Sequence, residues 1–131
     1  MLHSDITDLI LKAYYRVYNT LGFGFLEKVY ERALMIELVR LGCNPVRQQP
    51  IEVQYEGEVV GTYFADIVVN ESVIIEIKAA SALCEEHEHQ LINYLKATNM
   101  EVGLLLNFGQ QPEFKRKIFT NDNPRKSVAS A

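Results

Sequence analysis

Residues 73–78 read Val-Ile-Ile-Glu-Ile-Lys, a short β-branched segment that carries two ionisable side chains. Such a run between turn-forming residues is typical of a β-strand. Because side chains alternate across a strand, Glu76 and Lys78 share one face with Ile74, and the other three residues share the opposite face. Ionised groups in an apolar strand are costly unless they are paired or hold a metal ion. The segment therefore predicts a strand with two functional charges on one face.

The sequence before this segment predicts a hairpin partner for it. Residues 58–69 read as a strand, and residues 70–72 as a three-residue loop. Antiparallel pairing then places Asp66 opposite Glu76, with their Cβ atoms about 5.5 Å apart. Two such carboxylates repel each other unless they share a cation or one is protonated. An alternative stays open: Glu76 and Lys78 could be the exposed face of an edge strand, with Asp66 paired diagonally with Lys78.

The remaining sequence predicts an α/β fold. Apolar residues at three-and-four spacing indicate helices over about 4–21, 26–41 and 85–97. Apolar alternation or short apolar runs indicate further strands at 51–55 and 102–107. The order α-α-β-β-β-α-β predicts a mixed β-sheet flanked by helices, in a single domain over residues 1–119. Residues 114–119 fit a short strand or a turn, and residues 120–131 are expected to form a flexible tail.

Length and charge limit the classes of protein that fit. A chain of 131 residues has the size of one domain, and its net charge of −4 argues against coating nucleic acid through bulk charge. Acidic metal ligands remain compatible with that charge. The N-terminus lacks a signal-peptide pattern and no apolar run approaches a membrane span, so we expect a cytoplasmic protein without membrane contact. Cys43 and Cys84 have no CxxC partner, so we expect buried free thiols.

Several motifs in this order resemble one family, the GxxExxY proteins of the PD-(D/E)XK nuclease superfamily. The resemblance covers roughly residues 5–119. The matching segments are Gly24-Phe-Leu-Glu27-Lys-Val-Tyr30, Phe64-Ala-Asp66-Ile-Val-Val, Ile75-Glu76-Ile-Lys78-Ala, His87-Glu-His-Gln90-Leu-Ile-Asn-Tyr94 and Gly103-Leu-Leu-Leu-Asn107-Phe-Gly. Motifs at this spacing are more specific than a single E-x-K. Ala65 stands where the name of the superfamily has proline.

The resemblance implies a PD-(D/E)XK nuclease-like fold and a nuclease that uses Mg²⁺ or Mn²⁺ to hydrolyse phosphodiester bonds. The implied partner is nucleic acid, DNA in preference to RNA. Asp66 and Glu76 would be metal ligands, with the carbonyl of Ile77 as a third, and Lys78 would be the catalytic lysine. The alternative function is a catalytically inactive module of the same fold that binds nucleic acid or a protein partner. A homo-oligomer is compatible with the sequence.

The resemblance also implies catalytic roles for residues on two helices. Glu27 matches the acidic position of the first core helix, and Gln90 with Tyr94 matches a Q-x-x-x-Y signature. Glu27 and Tyr30 are three residues apart and Gln90 and Tyr94 four apart, so each pair shares a helix face. For both tyrosines, core packing with a hydrogen-bonded hydroxyl is an open alternative.

Two histidines on the third predicted helix invite a metal interpretation. His87 and His89 are two residues apart, so they point in different directions on a helix. We therefore do not expect them to bind one ion together.

Overall fold

The computed structural model describes residues 2–126, which form three helices and a five-stranded mixed sheet. The helices are α1 (Ser4–Leu21), α2 (Glu27–Arg40) and α3 (Glu85–Lys96). The strands are β1 (Pro45–Tyr55), β2 (Glu58–Val69), β3 (Val73–Lys78), β4 (Val102–Phe108) and β5 (Pro112–Ile118). The predicted fold class is confirmed. Residues 114–118 of the segment that fitted either a strand or a turn belong to β5, and Phe119 follows it.

The sheet has the order β1-β2-β3-β4-β5, with β3 and β4 parallel and the other neighbours antiparallel. Helix α3 is the crossover that a parallel pair requires. Val73, Ile75 and Ile77 pack against α1 and α2, whereas Ile74 faces α3. Because β3 is central and its Glu76 is 4% exposed, the edge-strand alternative is wrong.

The β2–β3 hairpin has the predicted register. Ile67 pairs with Ile75 and Val69 with Val73, so residues 70–72 form a three-residue loop. Asn70 and Glu71 close it with positive φ angles of 53° and 55°. One further step along this register brings Asp66 opposite Glu76.

Strands β1 and β2 extend past the edge of the central sheet. Residues 67–69 of β2 pair with β3, whereas β1 pairs along β2 as far as its tip. We call residues 49–65 the β-arm. The arm lies on the α3 side, since its Ile51 and Ala65 are buried in the same cluster as Leu91 of α3.

The chain after β5 returns to the end of α3. Lys126 Nζ donates hydrogen bonds to the carbonyl oxygens of Leu95, Thr98 and Met100, at 2.6, 3.0 and 2.7 Å. Residues 127–131 lie outside the described residues, so a flexible tail over residues 120–131 stays a prediction.

Two further expectations meet different outcomes. Cys43 is buried, but Cys84 is exposed because it immediately precedes α3 at the surface, so the expectation of two buried thiols is wrong for Cys84. Within residues 2–126, none of the helices is long and apolar enough to cross a membrane.

Candidate metal centre

The Asp66 and Glu76 side chains meet where the β2–β3 ladder ends. Glu76 Oε2 accepts a hydrogen bond from the Asp66 N–H at 2.8 Å, and Asp66 Oδ2 accepts one from the Ile77 N–H at 2.8 Å. Each carboxylate thus bonds to the backbone of the opposite strand. These crossed bonds take the place of the backbone pairs that a regular ladder would make beyond Ile67. They fix both predicted ligands at one point of the sheet.

Strand β1 orients Asp66 from the other side. Gln48 has a φ of 54°, which is uncommon for a residue other than glycine, and the pairing of Gln48 with Asp66 is missing from the otherwise continuous register around it. Gln48 Nε2 donates to Glu31 Oε1 at 2.6 Å and to Asp66 Oδ1 at 3.4 Å. Arg47 Nη1 pairs with Glu31 Oε2 at 3.3 Å. The buried Glu31 carboxylate therefore has an ion-pair partner while it positions Gln48 on Asp66.

Helix α3 contributes the predicted glutamine and tyrosine. Lys78 Nζ donates to Gln90 Oε1 at 3.3 Å, so Gln90 holds the end of the predicted catalytic lysine. Tyr94 lies one turn further along α3 and is buried, and burial raises the pKa of its hydroxyl to about 12. The structure thus brings Lys78, Gln90 and Tyr94 together beside Glu76.

Glu27 and Tyr30 of α2 have different roles. Glu27 Oε2 accepts a hydrogen bond from the Ala79 N–H at 3.2 Å, which places this exposed residue next to the end of β3. The Tyr30 hydroxyl donates to the Gly22 carbonyl at 2.8 Å and accepts from the Phe25 N–H at 3.1 Å. Its ring is fully buried, so core packing accounts for Tyr30.

His87 lies at the start of α3 and caps it. Its Nδ1 accepts a hydrogen bond from the Cys84 N–H at 3.3 Å. This backbone contact gives His87 a structural role at the helix terminus.

The electrostatics of the site reflect burial and mutual repulsion. Burial raises the pKa of Glu76 to about 8, the Asp66 charge adds to the rise, and the Asp66 N–H and Lys78 oppose it. Burial also raises the pKa of Asp66, with Glu31 and Glu27 contributing, against the opposing Ile77 N–H. Crowded carboxylates of this kind are stabilised by a bound cation or by a proton.

The donor set fits a hard divalent cation. Asp66 and Ile77 line a pocket of about 190 Å³ together with Glu27, Lys28, Glu31 and Gln48, and Glu76 is not part of this lining. Carboxylate and carbonyl oxygens are the protein ligands that Mg²⁺ prefers. Among residues 2–126, no three His, Cys, Asp or Glu side chains are gathered closely enough to hold a metal by themselves. A Mg²⁺ ion at this point would be held by one or two carboxylates and would complete its octahedron with water and substrate oxygens.

Glu31 and Gln48 are site residues that sequence reasoning missed. Glu31 follows Glu27 by four positions, and that spacing on one helix face is a signal that could have found it. Gln48 gives no such signal, because its contact with Asp66 depends on a left-handed backbone within β1.

Comparisons with known proteins concern the family and the fold of the chain. A family model described as the PD-(D/E)XK nuclease superfamily matches residues 4–117. Among solved structures, the chain is similar to the crystal structure of SSO0001, with a TM-score of 0.54 and 19% sequence identity over 92% of this chain. The chain spans 61% of the length of that protein's chain, and at this identity the likeness concerns the fold alone. None of the curated proteins compared with the chain matches it.

Proposed function

This chain belongs to the PD-(D/E)XK nuclease superfamily, and on that premise we propose that it is a metal-dependent nuclease acting on nucleic acid, DNA in preference to RNA. The supporting observation is the crossed pair of Asp66 and Glu76 carboxylates with Lys78 beside them. Within the superfamily we assign the chain to the GxxExxY branch, on the motif from Gly24 to Tyr30. A cytoplasmic location stays part of this proposal.

Asp66 and Glu76 would hold the Mg²⁺ or Mn²⁺ ion, with the carbonyl of Ile77 as a third ligand. When bound, such an ion lowers the pKa of water and polarises a phosphoryl oxygen. The donors fit because all of them are hard oxygens.

The surrounding residues contact the phosphodiester or position the residue that does. Lys78 donates to a non-bridging phosphate oxygen and offsets the negative charge that grows as water attacks phosphorus. Gln90 holds the Lys78 amine at the site, and Tyr94 lies one turn along the same helix face. Glu27 fixes the backbone at Ala79, immediately after Lys78. Water forms the new P–O bond and loses a proton, while the P–O bond to the sugar breaks and the sugar oxygen gains a proton.

Replacing Lys78 tests this proposal. Purified protein is incubated with single-stranded and double-stranded DNA and RNA in the presence of Mn²⁺. Lys78→Ala should lower the cleavage rate by about 100-fold or more, the order of effect for a residue that stabilises transition-state charge. The exposed Lys12 of α1 offers a matched control, since Lys12→Ala removes the same charge and should keep the parent rate. Undiminished cleavage by Lys78→Ala would contradict the assignment.

One observation favours the second candidate, a module of the same fold that binds nucleic acid or protein without cleaving it. The Asp66 and Glu76 carboxylates both bond to backbone N–H groups, a contact that a purely structural pair would also make. Calorimetric titration with Mg²⁺ and Mn²⁺ separates the candidates, because the nuclease requires binding at millimolar concentrations or below. Heat of binding that disappears in Asp66→Asn supports the nuclease, and the absence of binding supports the module.

A further inference from the structure

A groove of about 630 Å³ lies between the β-arm and α3. Gly61 and Tyr63 of the arm form one side, and Gln90 and Tyr94 of α3 form the other. Gln90 also accepts a hydrogen bond from Lys78, so the groove and the candidate metal centre share this residue.

An aromatic surface is available in this groove. Tyr63 is 51% exposed, and its ring centroid lies 5.8 Å from that of the buried Tyr94 at an interplanar angle of 43°. Tyr94 supports the Tyr63 ring from one side and leaves part of it open. Exposed aromatic rings of this kind bind the bases of single-stranded nucleic acid by stacking, with little dependence on sequence.

The polar lining suits a nucleotide. His89 and Asn93 supply hydrogen-bonding groups that can contact base edges, as in single-strand recognition. Among the described residues that line the groove, Lys96 and Arg125 carry positive charges and Glu86 is the one carboxylate. In a chain with a net charge of −4, this locally positive balance favours a phosphate backbone.

The dimensions favour an unpaired strand over a duplex. The volume is within the range of about 300–1,000 Å³ that is typical of sites for small ligands. Gly61 keeps the groove open, because it places no side chain between the arm and α3.

Building on the proposed nuclease function, we propose that this groove binds an unpaired nucleotide of the substrate strand, with its base stacked on Tyr63. The adjacent phosphate then lies toward Lys78. The substrate class is single-stranded nucleic acid, including single-stranded ends of a duplex.

A substitution at Gly61 tests the groove without disturbing the fold. An added Cβ would lie 3.6 Å from the Tyr63 ring, an ordinary contact, and β-branched residues suit a strand. Gly61→Val should therefore fold normally and narrow the groove. Thr62→Val is the matched control, because it adds the same residue on the opposite face of the same strand, where Thr62 is exposed.

The probe is a single-stranded oligothymidylate with one 2-aminopurine, whose fluorescence is quenched when the base stacks. Binding is measured in EDTA, so that cleavage does not interfere. Gly61→Val should weaken binding about tenfold or more, and Thr62→Val should bind like the parent. Tyr63→Ala should bind about tenfold more weakly than the parent, and its binding should no longer quench the fluorescence. Tyr63→Phe should retain both, because stacking needs only the ring.

Equal binding by Gly61→Val and the parent, no binding by the parent, or equally tight binding of the same sequence as a duplex would overturn the groove assignment. Cleavage with Mn²⁺ is measured in parallel. If Gly61→Val loses binding and the parent does not cleave, the proposal that the groove binds a nucleotide stands and the proposed nuclease activity is refuted. If the parent cleaves and Gly61→Val binds normally, the proposal that the groove binds a nucleotide is refuted and the proposed nuclease activity stands.

Discussion

Glu76 is a buried carboxylate whose charge the metal-free protein tolerates poorly. Burial and the neighbouring Asp66 raise its pKa from 4.5 to about 8. A folded-state pKa above the unfolded value means that the folded protein binds more protons. The stability that the protonated form contributes is therefore fully present below pH 4.5 and is lost as the pH rises toward 8.

Glu76→Gln should remove this dependence. In EDTA, the free energy of unfolding of the parent should fall relative to the variant by roughly 3–4 kcal/mol between pH 5 and pH 8. The amide oxygen of glutamine can still accept the Asp66 N–H, so the variant keeps the contact and loses only the titration. Denaturant unfolding of both proteins across this range measures the difference. Parallel pH profiles would show that Glu76 titrates normally.

Residues of the candidate site differed in how far the sequence could predict their positions. Asp66 and Glu76 were found together, because period-two alternation and a three-residue loop determine which positions of a hairpin face each other. The crossed bonds to backbone N–H groups were not predicted, since they form only where the ladder stops. Gln48 was missed because a positive φ in a strand leaves no pattern in sequence.

At the scale of elements, β4 fixes the segment that follows the predicted lysine of β3. Asn107 is 1% exposed, and its Oδ1 accepts the Ala80 N–H while its Nδ2 donates to the Ala80 carbonyl, both at 3.0 Å. Gly109 packs so closely that an added Cβ would lie 2.6 Å from the same carbonyl. Since Ala80 is two residues after Lys78, these contacts connect β4 to the candidate site.

Asn107→Ala should therefore destabilise the fold and disturb the site. Leaving the Ala80 N–H and carbonyl without these partners should lower the free energy of unfolding by about 2–4 kcal/mol. The exposed Asn99 provides the control, because Asn99→Ala should change stability by less than about 0.5 kcal/mol. Urea denaturation of both variants checks this. A change in Asn107→Ala no larger than that of the control would contradict the role of Asn107.

The bounds of elements with a clear hydrophobic periodicity were predicted closely. The strand at the edge of the sheet was not. The bounds of β2 and β3 follow from alternation between clear turn residues. Strand β5 was left open because Lys115, Arg116 and Lys117 interrupt its apolar pattern. Such charges suit an edge strand, where they oppose pairing with another chain, and Lys117 forms an ion pair with Glu88 of α3. Local sequence cannot show which strand will be at the edge.

In the whole molecule, the candidate site joins α2, β1, β2, β3 and α3, so its charge state is linked to the stability of the fold. Any cation that binds the native state stabilises it by RT ln(1 + [L]/Kd), or about 2.7 kcal/mol at a concentration of 100 Kd. Protons compete for the same carboxylates, because metal ligands must be deprotonated. The effect of a bound metal on the free energy of unfolding should therefore depend on the pH.

We expect the melting curves with and without Mn²⁺ to separate as the pH rises from 5 to 8. Without metal, stability falls with pH because Asp66 and Glu76 lose protons that the fold favours. With saturating Mn²⁺ the same deprotonation strengthens binding, so the melting temperature should hold or rise. Asp66→Asn should melt about 4 °C higher than the parent in EDTA at neutral pH, since it removes the repulsion, and should lose the Mn²⁺ effect. A gap between the curves that stays constant with pH, or that persists in Asp66→Asn, would place the metal away from this pair.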